Sequence, residues 1–141
     1  MNNVFIGVDA GASIYANEPI PIGPCLPATI ESQRNTFIGH FAGLQNTIGK
    51  ENTFMGALCA ARNESGNQNS IYGSLAGYQN SGSNNTFMGY HTGANCQGSN
   101  NTYLGSNAGL SHLKGTYNVA VGSDCFSITQ DSSLGLSLIH I

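Results

Sequence analysis

The stretch Asn-Thr-Phe-Ile-Gly-His-Phe-Ala-Gly-Leu-Gln-Asn-Thr-Ile-Gly, Asn35–Gly49, decides how the rest of the chain is read. Its opening pentapeptide returns as Asn-Thr-Phe-Met-Gly at Asn52–Gly56 and again at Asn85–Gly89. Asn-Ser-Ile-Tyr-Gly stands at Asn69–Gly73, Asn-Thr-Tyr-Leu-Gly at Asn101–Gly105 and Asn-Val-Ala-Val-Gly at Asn118–Gly122. Upstream, Asn3–Gly7 is a clear copy and Pro19–Gly23 a degraded one. The closing glycines Gly7, Gly23, Gly39, Gly56, Gly73, Gly89, Gly105 and Gly122 are spaced 16 or 17 residues apart. A fixed period of this length is the mark of a repeat architecture.

Within one unit a second string, Gly-x-x-small-Gly, closes at Gly11, Gly43, Gly77, Gly93 and Gly109. A third turn signal follows at Asn46–Gly49, Asn63–Gly66, Asn80–Gly82 and Asn95–Gly98. Gly and Asn accept the positive φ that tight corners demand. The segments between turns hold about five residues, too few for helices and suited to strands. The expected fold is therefore all-β: a parallel β-solenoid of about eight coils over Asn3–Phe126, each coil carrying two or three short strands. Coils stacked about 4.8 Å apart would make a rod about 38 Å long.

Stacking aligns equivalent residues into columns. Phe5, Phe37, Phe54, Ile71, Phe87 and Tyr103 form one, and Ile6, Ile38, Met55, Tyr72, Met88, Leu104 and Val121 the next. Asn35, Asn52, Asn69, Asn85, Asn101 and Asn118 form a third, suited to an amide ladder in which each side chain bonds its neighbour. Adjacent positions of a strand face opposite ways. Both faces of this strand are thus apolar, a pattern that normally means cover on both. The coil interior supplies one cover, and a neighbouring chain is the expected source of the other.

The composition agrees and removes whole classes of function. Gly, Asn and Ser number 19, 17 and 15 of 141 residues, while only 11 are charged and the net charge is -3. Such a chain has no electrostatic footprint for nucleic acid. It has neither a basic amphipathic stretch nor an apolar run for a membrane. At 40% hydrophobic it is too apolar for a disordered tail.

The repeat resembles the head repeats of trimeric autotransporter adhesins, the YadA-like heads, in which an aliphatic-Gly strand end and a small corner residue recur once per coil. It also resembles the repeat shafts of phage-type tail fibres and related bacterial surface proteins, which often end in an endosialidase-type chaperone domain. The resemblance covers Asn3–Phe126. It implies a left-handed β-roll, a homotrimer packed side by side, and a place outside the cell on a surface or virion fibre. A host-surface glycan or matrix protein is the ligand it would allow.

No chemistry is expected. Cys59 and Cys125 occupy the small-residue column of Ala42, Ala76 and Ala108, while Cys25 and Cys96 sit at other positions. Cys59 and Cys125 would lie four coils, about 19 Å, apart, far beyond disulfide reach. Without a Cys-x-x-Cys pair or a Cys/His cluster, no zinc site is expected. His40, His91, His112 and His140 share no spacing, and Asp9 and Asp124 are too distant to act as a carboxylate pair. Gly7–Gly11 lacks the helix and acidic partner of a nucleotide loop. Three Asp in the chain cannot supply a calcium nonapeptide roll. The sequence thus predicts no catalytic, cofactor or metal residues. An alternative role is ice binding through the hydroxyl column Thr36, Thr53, Ser70, Thr86 and Thr102, although its same-face partners are bulky.

No signal peptide is legible behind Met1. Ser127–Ile141 is expected to be a non-repeat tail, and its end, Leu136–Ile141, reads like the translation of a sequencing adapter and is set aside. The chain is accordingly expected to be a piece of a longer protein.

Overall fold

The computed structural model describes residues 3–12, 32–111, 114–126 and 137–139. Eight three-residue strands follow one another: β1 (Val4–Ile6), β2 (Thr36–Ile38), β3 (Thr53–Met55), β4 (Ser70–Tyr72), β5 (Thr86–Met88), β6 (Thr102–Leu104), β7 (Val119–Val121) and β8 (Ser137–Ile139). They form one sheet in chain order, and every neighbouring pair is parallel. A parallel sheet whose neighbours are successive in sequence, with each return made by turns, is a β-solenoid. The register aligns Phe5, Phe37, Phe54, Ile71, Phe87, Tyr103 and Ala120 in one column, as the repeat predicts.

The coil count is lower than eight. Five consecutive coils of 16 or 17 residues run from Gly39 to Gly122. The copy closed by Gly23 lies outside the described residues. The sheet passes directly from β1 to β2, with Val4 opposite Thr36, so no strand stands between them. Proline explains this departure. Pro19 and Pro21 fall at the Asn and Phe positions of the repeat, and proline has no N–H to donate to a neighbouring coil. At the far end β8 continues the register, Ala120 opposite Leu138, from within the segment the repeat reading set aside.

Each coil holds one strand, where two or three were expected. The remainder is a ribbon of overlapping turns. Ala42 N–H donates to Gly39 O at 3.2 Å, Leu44 N–H to Phe41 O at 3.3 Å and Asn46 N–H to Gly43 O at 3.0 Å. Positive φ recurs at every second residue, 58° at both Phe41 and Gly43. That alternation turns successive N–H groups up and down the axis. Phe41 N–H reaches back to Val8 O at 3.0 Å, and Gly43 N–H reaches forward to Cys59 O at 2.9 Å. Turn backbone thereby finds partners in both neighbouring coils, as buried amides require.

The 16/17 variation has a single address. Asn46 and Gly49, like Asn63 and Gly66, are three residues apart, whereas Asn80 and Gly82 are two apart. The extra residue lies on the exposed turn, where it leaves the columns undisturbed. The closing glycines take up a conformation that side chains avoid. At Gly89 φ is 141°, and a β-carbon would lie 2.5 Å from Gly105 O in the next coil.

The core is one large side chain wide. Phe37, Phe54, Ile71, Phe87 and Tyr103 are fully buried, faced by Ala42, Cys59, Ala76 and Ala108. Ring centroids stack at 5.1 Å for Phe5–Phe37, 4.7 Å for Phe37–Phe54 and 5.1 Å for Phe87–Tyr103.

Candidate functional site

The features that could act on another molecule are set by an internal frame of asparagines. Asn35, Asn52, Asn69, Asn85, Asn101 and Asn118 are all buried, each immediately before a strand. The coil-to-coil link differs from the expected amide ladder. Each side-chain carbonyl accepts from the backbone N–H of the next Asn: Asn52 N–H donates to Asn35 Oδ1 at 2.9 Å, Asn85 N–H to Asn69 Oδ1 at 3.0 Å and Asn118 N–H to Asn101 Oδ1 at 3.0 Å. Side-chain amide contacts add to this at Asn69–Asn52 and Asn118–Asn101. The Nδ2 group donates across the coil to a glycine carbonyl, as from Asn52 to Gly66 O at 2.8 Å.

A second buried ladder, Asn46, Asn63 and Asn80, runs beside the first, Asn85 Nδ2 donating to Asn80 Oδ1 at 3.1 Å. Asn63 Nδ2 donates to Asn46 Oδ1 at 2.9 Å, and both ladders converge on the same glycine carbonyls. Sequence reasoning read these residues only as turn signals. Counting seven residues from each closing glycine would have revealed the column. That count also shows that Cys96, not Asn95, takes the fourth place: it is buried and accepts from Asn101 Nδ2 at 3.6 Å. Cys96 also faces Tyr103, and burial pushes its thiol up to about 11 and that of Cys59 up to about 12. Buried thiols held protonated are poor nucleophiles and poor metal ligands.

Among the described residues no group of three or more His, Cys, Asp and Glu side chains could hold a metal ion. His40 and His91 stand after the corner glycines, their rings tilted against Phe41 and Tyr90. Asp9 and Asp124 lie at opposite ends, while Cys25, His112 and His140 fall outside the described residues. Beside the exposed turn an open groove is lined by Ile48, Lys50, Glu51, Ser65, Asn67 and Gln68. Hydrogen bonds from Arg34 and Gln68 hold the exposed Glu51 carboxyl below its ordinary range. That pairing occupies the Glu51 carboxyl, the groove's acidic group, while Lys50 supplies its cationic one. Among the described residues no helix is long and apolar enough to cross a membrane.

What remains is the outer face of the strands. On this face Thr36, Thr53, Ser70, Thr86 and Thr102 run half-buried beside the aliphatic column. In that column Ile6 is 58% exposed, Met88 52% and Met55 38%. Regular spacing along β1–β7 makes it a continuous apolar stripe about 29 Å long. Met55, Tyr72 and Met88 stand together at its centre, between branched Ile, Leu and Val side chains at the two ends, so the stripe is uneven. A surface of this kind matches a packing partner better than a flat lattice. Comparison with protein-family models, with curated proteins and with solved structures returns no match.

Proposed function

We propose that this chain is a structural or adhesive segment of a fibre outside the cell, on a cell surface or virion, in which three copies pack side by side through the outer strand face. One observation carries this reading. Strands β3 and β5, which bury Phe54 and Phe87 completely, leave Met55 and Met88 exposed in a regular column. The number three rests on the resemblance to adhesin-head and tail-fibre repeats. The role is mechanical: each added coil advances the rod by about 4.8 Å and holds whatever lies at its end away from its anchor. Exposed turn residues are free to vary as contact surface for a glycan or matrix protein, and no catalysis is assigned. Sedimentation of the full chain at micromolar concentration tests the reading. The expected species is a compact, protease-resistant trimer; a well-folded, monodisperse monomer contradicts it.

Ice binding is the second reading, favoured by the hydroxyl column that keeps register across five strands. Thermal hysteresis in a dilute solution of the chain would establish it; its absence at millimolar concentration removes it.

A further inference from the structure

The strand face is too narrow to hold copies together alone. Seven strands about 10 Å wide and about 29 Å in total stack give a footprint of about 300 Å². A stable interface takes about 800 Å² from each partner. A second surface has to contribute, and the turn ribbon identifies one.

Two residues past successive closing glycines stand Phe41, Leu58, Leu75, His91, Asn107 and Asp124, all with φ between 55° and 59°. This left-handed conformation suits Asn and Asp and is unfavourable for bulky Phe and Leu. The last two coils use the residues that suit it, and Asn107 Nδ2 donates to Asp124 Oδ1 at 2.9 Å. Backbone geometry is the same along the column: Leu58 N–H donates to His40 O at 2.8 Å and Asn107 N–H to Tyr90 O at 3.0 Å. The turn therefore has no need of an apolar side chain at this position. Three consecutive coils nevertheless place one there, half-buried and in an unfavourable backbone conformation. Strained residues that the fold does not require point to a role beyond the fold.

The three also continue the strand face. Phe41, Leu58 and Leu75 follow Ile38, Met55 and Tyr72 by three residues, around the glycine corner. We propose that the Phe41–Leu58–Leu75 ridge is a second docking surface, which receives the outer strand column of another copy of this chain. One surface meeting a different one is a heterologous contact, the kind that closes into a ring when the rotation permits. The proposal rests on self-association through the strand face.

The test is the full chain carrying Leu58→Asn and Leu75→Asn, compared with the parent and with Met55→Glu/Met88→Glu. Asparagine suits the left-handed turn, so the Asn variant should melt at or above the parent's temperature when dilute. Its association in sedimentation should weaken about tenfold or more, the loss expected for apolar contacts of this size. A lower melting temperature for the dilute Asn variant would make the ridge a structural element and overturn the proposal. Assembly of the Asn variant like the parent, with only the Glu variant falling apart, would overturn it and leave the strand-face reading standing. A parent that never associates, or an assembly that neither variant disturbs, would overturn both.

Discussion

Phe54 and Met55 are neighbours in β3, both apolar and both part of unbroken columns, yet Phe54 is fully buried and Met55 is 38% exposed. The inner column is closed by the coil itself. Ala and Gly of the turn ribbon lie over the rings so closely that a β-carbon on Gly43 would come 2.5 Å from the Phe37 ring. Among the described residues nothing performs that service outside. A coil of 16 or 17 residues can enclose one large side chain and no more. A strand that is apolar on both faces therefore leaves one column to be covered by another surface.

If the two faces differ in this way, substitutions on them should separate cleanly. The largest effect is expected at the centre of the inner column. Phe54→Ala removes a ring stacked 4.7 Å from Phe37 and should lower stability by about 3–5 kcal/mol, measured by thermal or denaturant unfolding. Next comes the Asn frame. Asn69→Ala leaves the buried N–H of Asn85 without its acceptor and should cost about 1–3 kcal/mol. A loss below about 0.5 kcal/mol would show that water replaces the ladder, which would weaken its place in the account.

Cysteine titration offers a third, smaller contrast. Burial raises Cys59 to about 12 and Cys96 to about 11, above the value of about 8.5 for an unfolded thiol. Between those limits the folded state retains protons that the unfolded state has lost, so stability falls as pH rises. It should be intact below about pH 8.5 and decline above it by up to about 1.4 kcal/mol per pH unit for each thiol. Cys59→Ala combined with Cys96→Ala should flatten the decline seen in melts from pH 8 to 10.5; an unchanged slope would mean that both thiols are solvated. The smallest effect on dilute stability is expected outside. Met88→Glu should stay within about 0.5 kcal/mol of the parent, as exposed sites do, while still impairing assembly.

Much of this architecture is legible in the residues. The pentapeptide copies fix the register, since the Thr-Phe-Ile of Thr36–Ile38 pairs position for position with the Thr-Phe-Met of Thr53–Met55. The closing glycines foretell corners with φ near 135°. The strand count was not legible, because a ribbon of left-handed turns and an extended segment both draw on Gly and small residues. Phe41 and Leu58 conceal the turn further, as neither residue announces a positive φ. The second ladder was hidden by the adjacency of Asn95 and Cys96: the eye follows the Asn, while the register follows the count from Gly89. The passage from β1 straight to β2 needed the knowledge that Pro19 and Pro21 would break two inter-coil positions, a local chemistry that a spacing of 16 masks.

The claim that another copy covers the outer column can be tested at the column itself. Methionine thioethers oxidise at a rate set by their exposure, and Met55 and Met88 both stand on the outer strand face. Peroxide footprinting of the full chain should find both oxidised readily at high dilution and protected severalfold, together, as concentration rises through the range where sedimentation detects association. Oxidation at one unchanging rate across that range, in a chain that sediments as an assembly, would contradict the account.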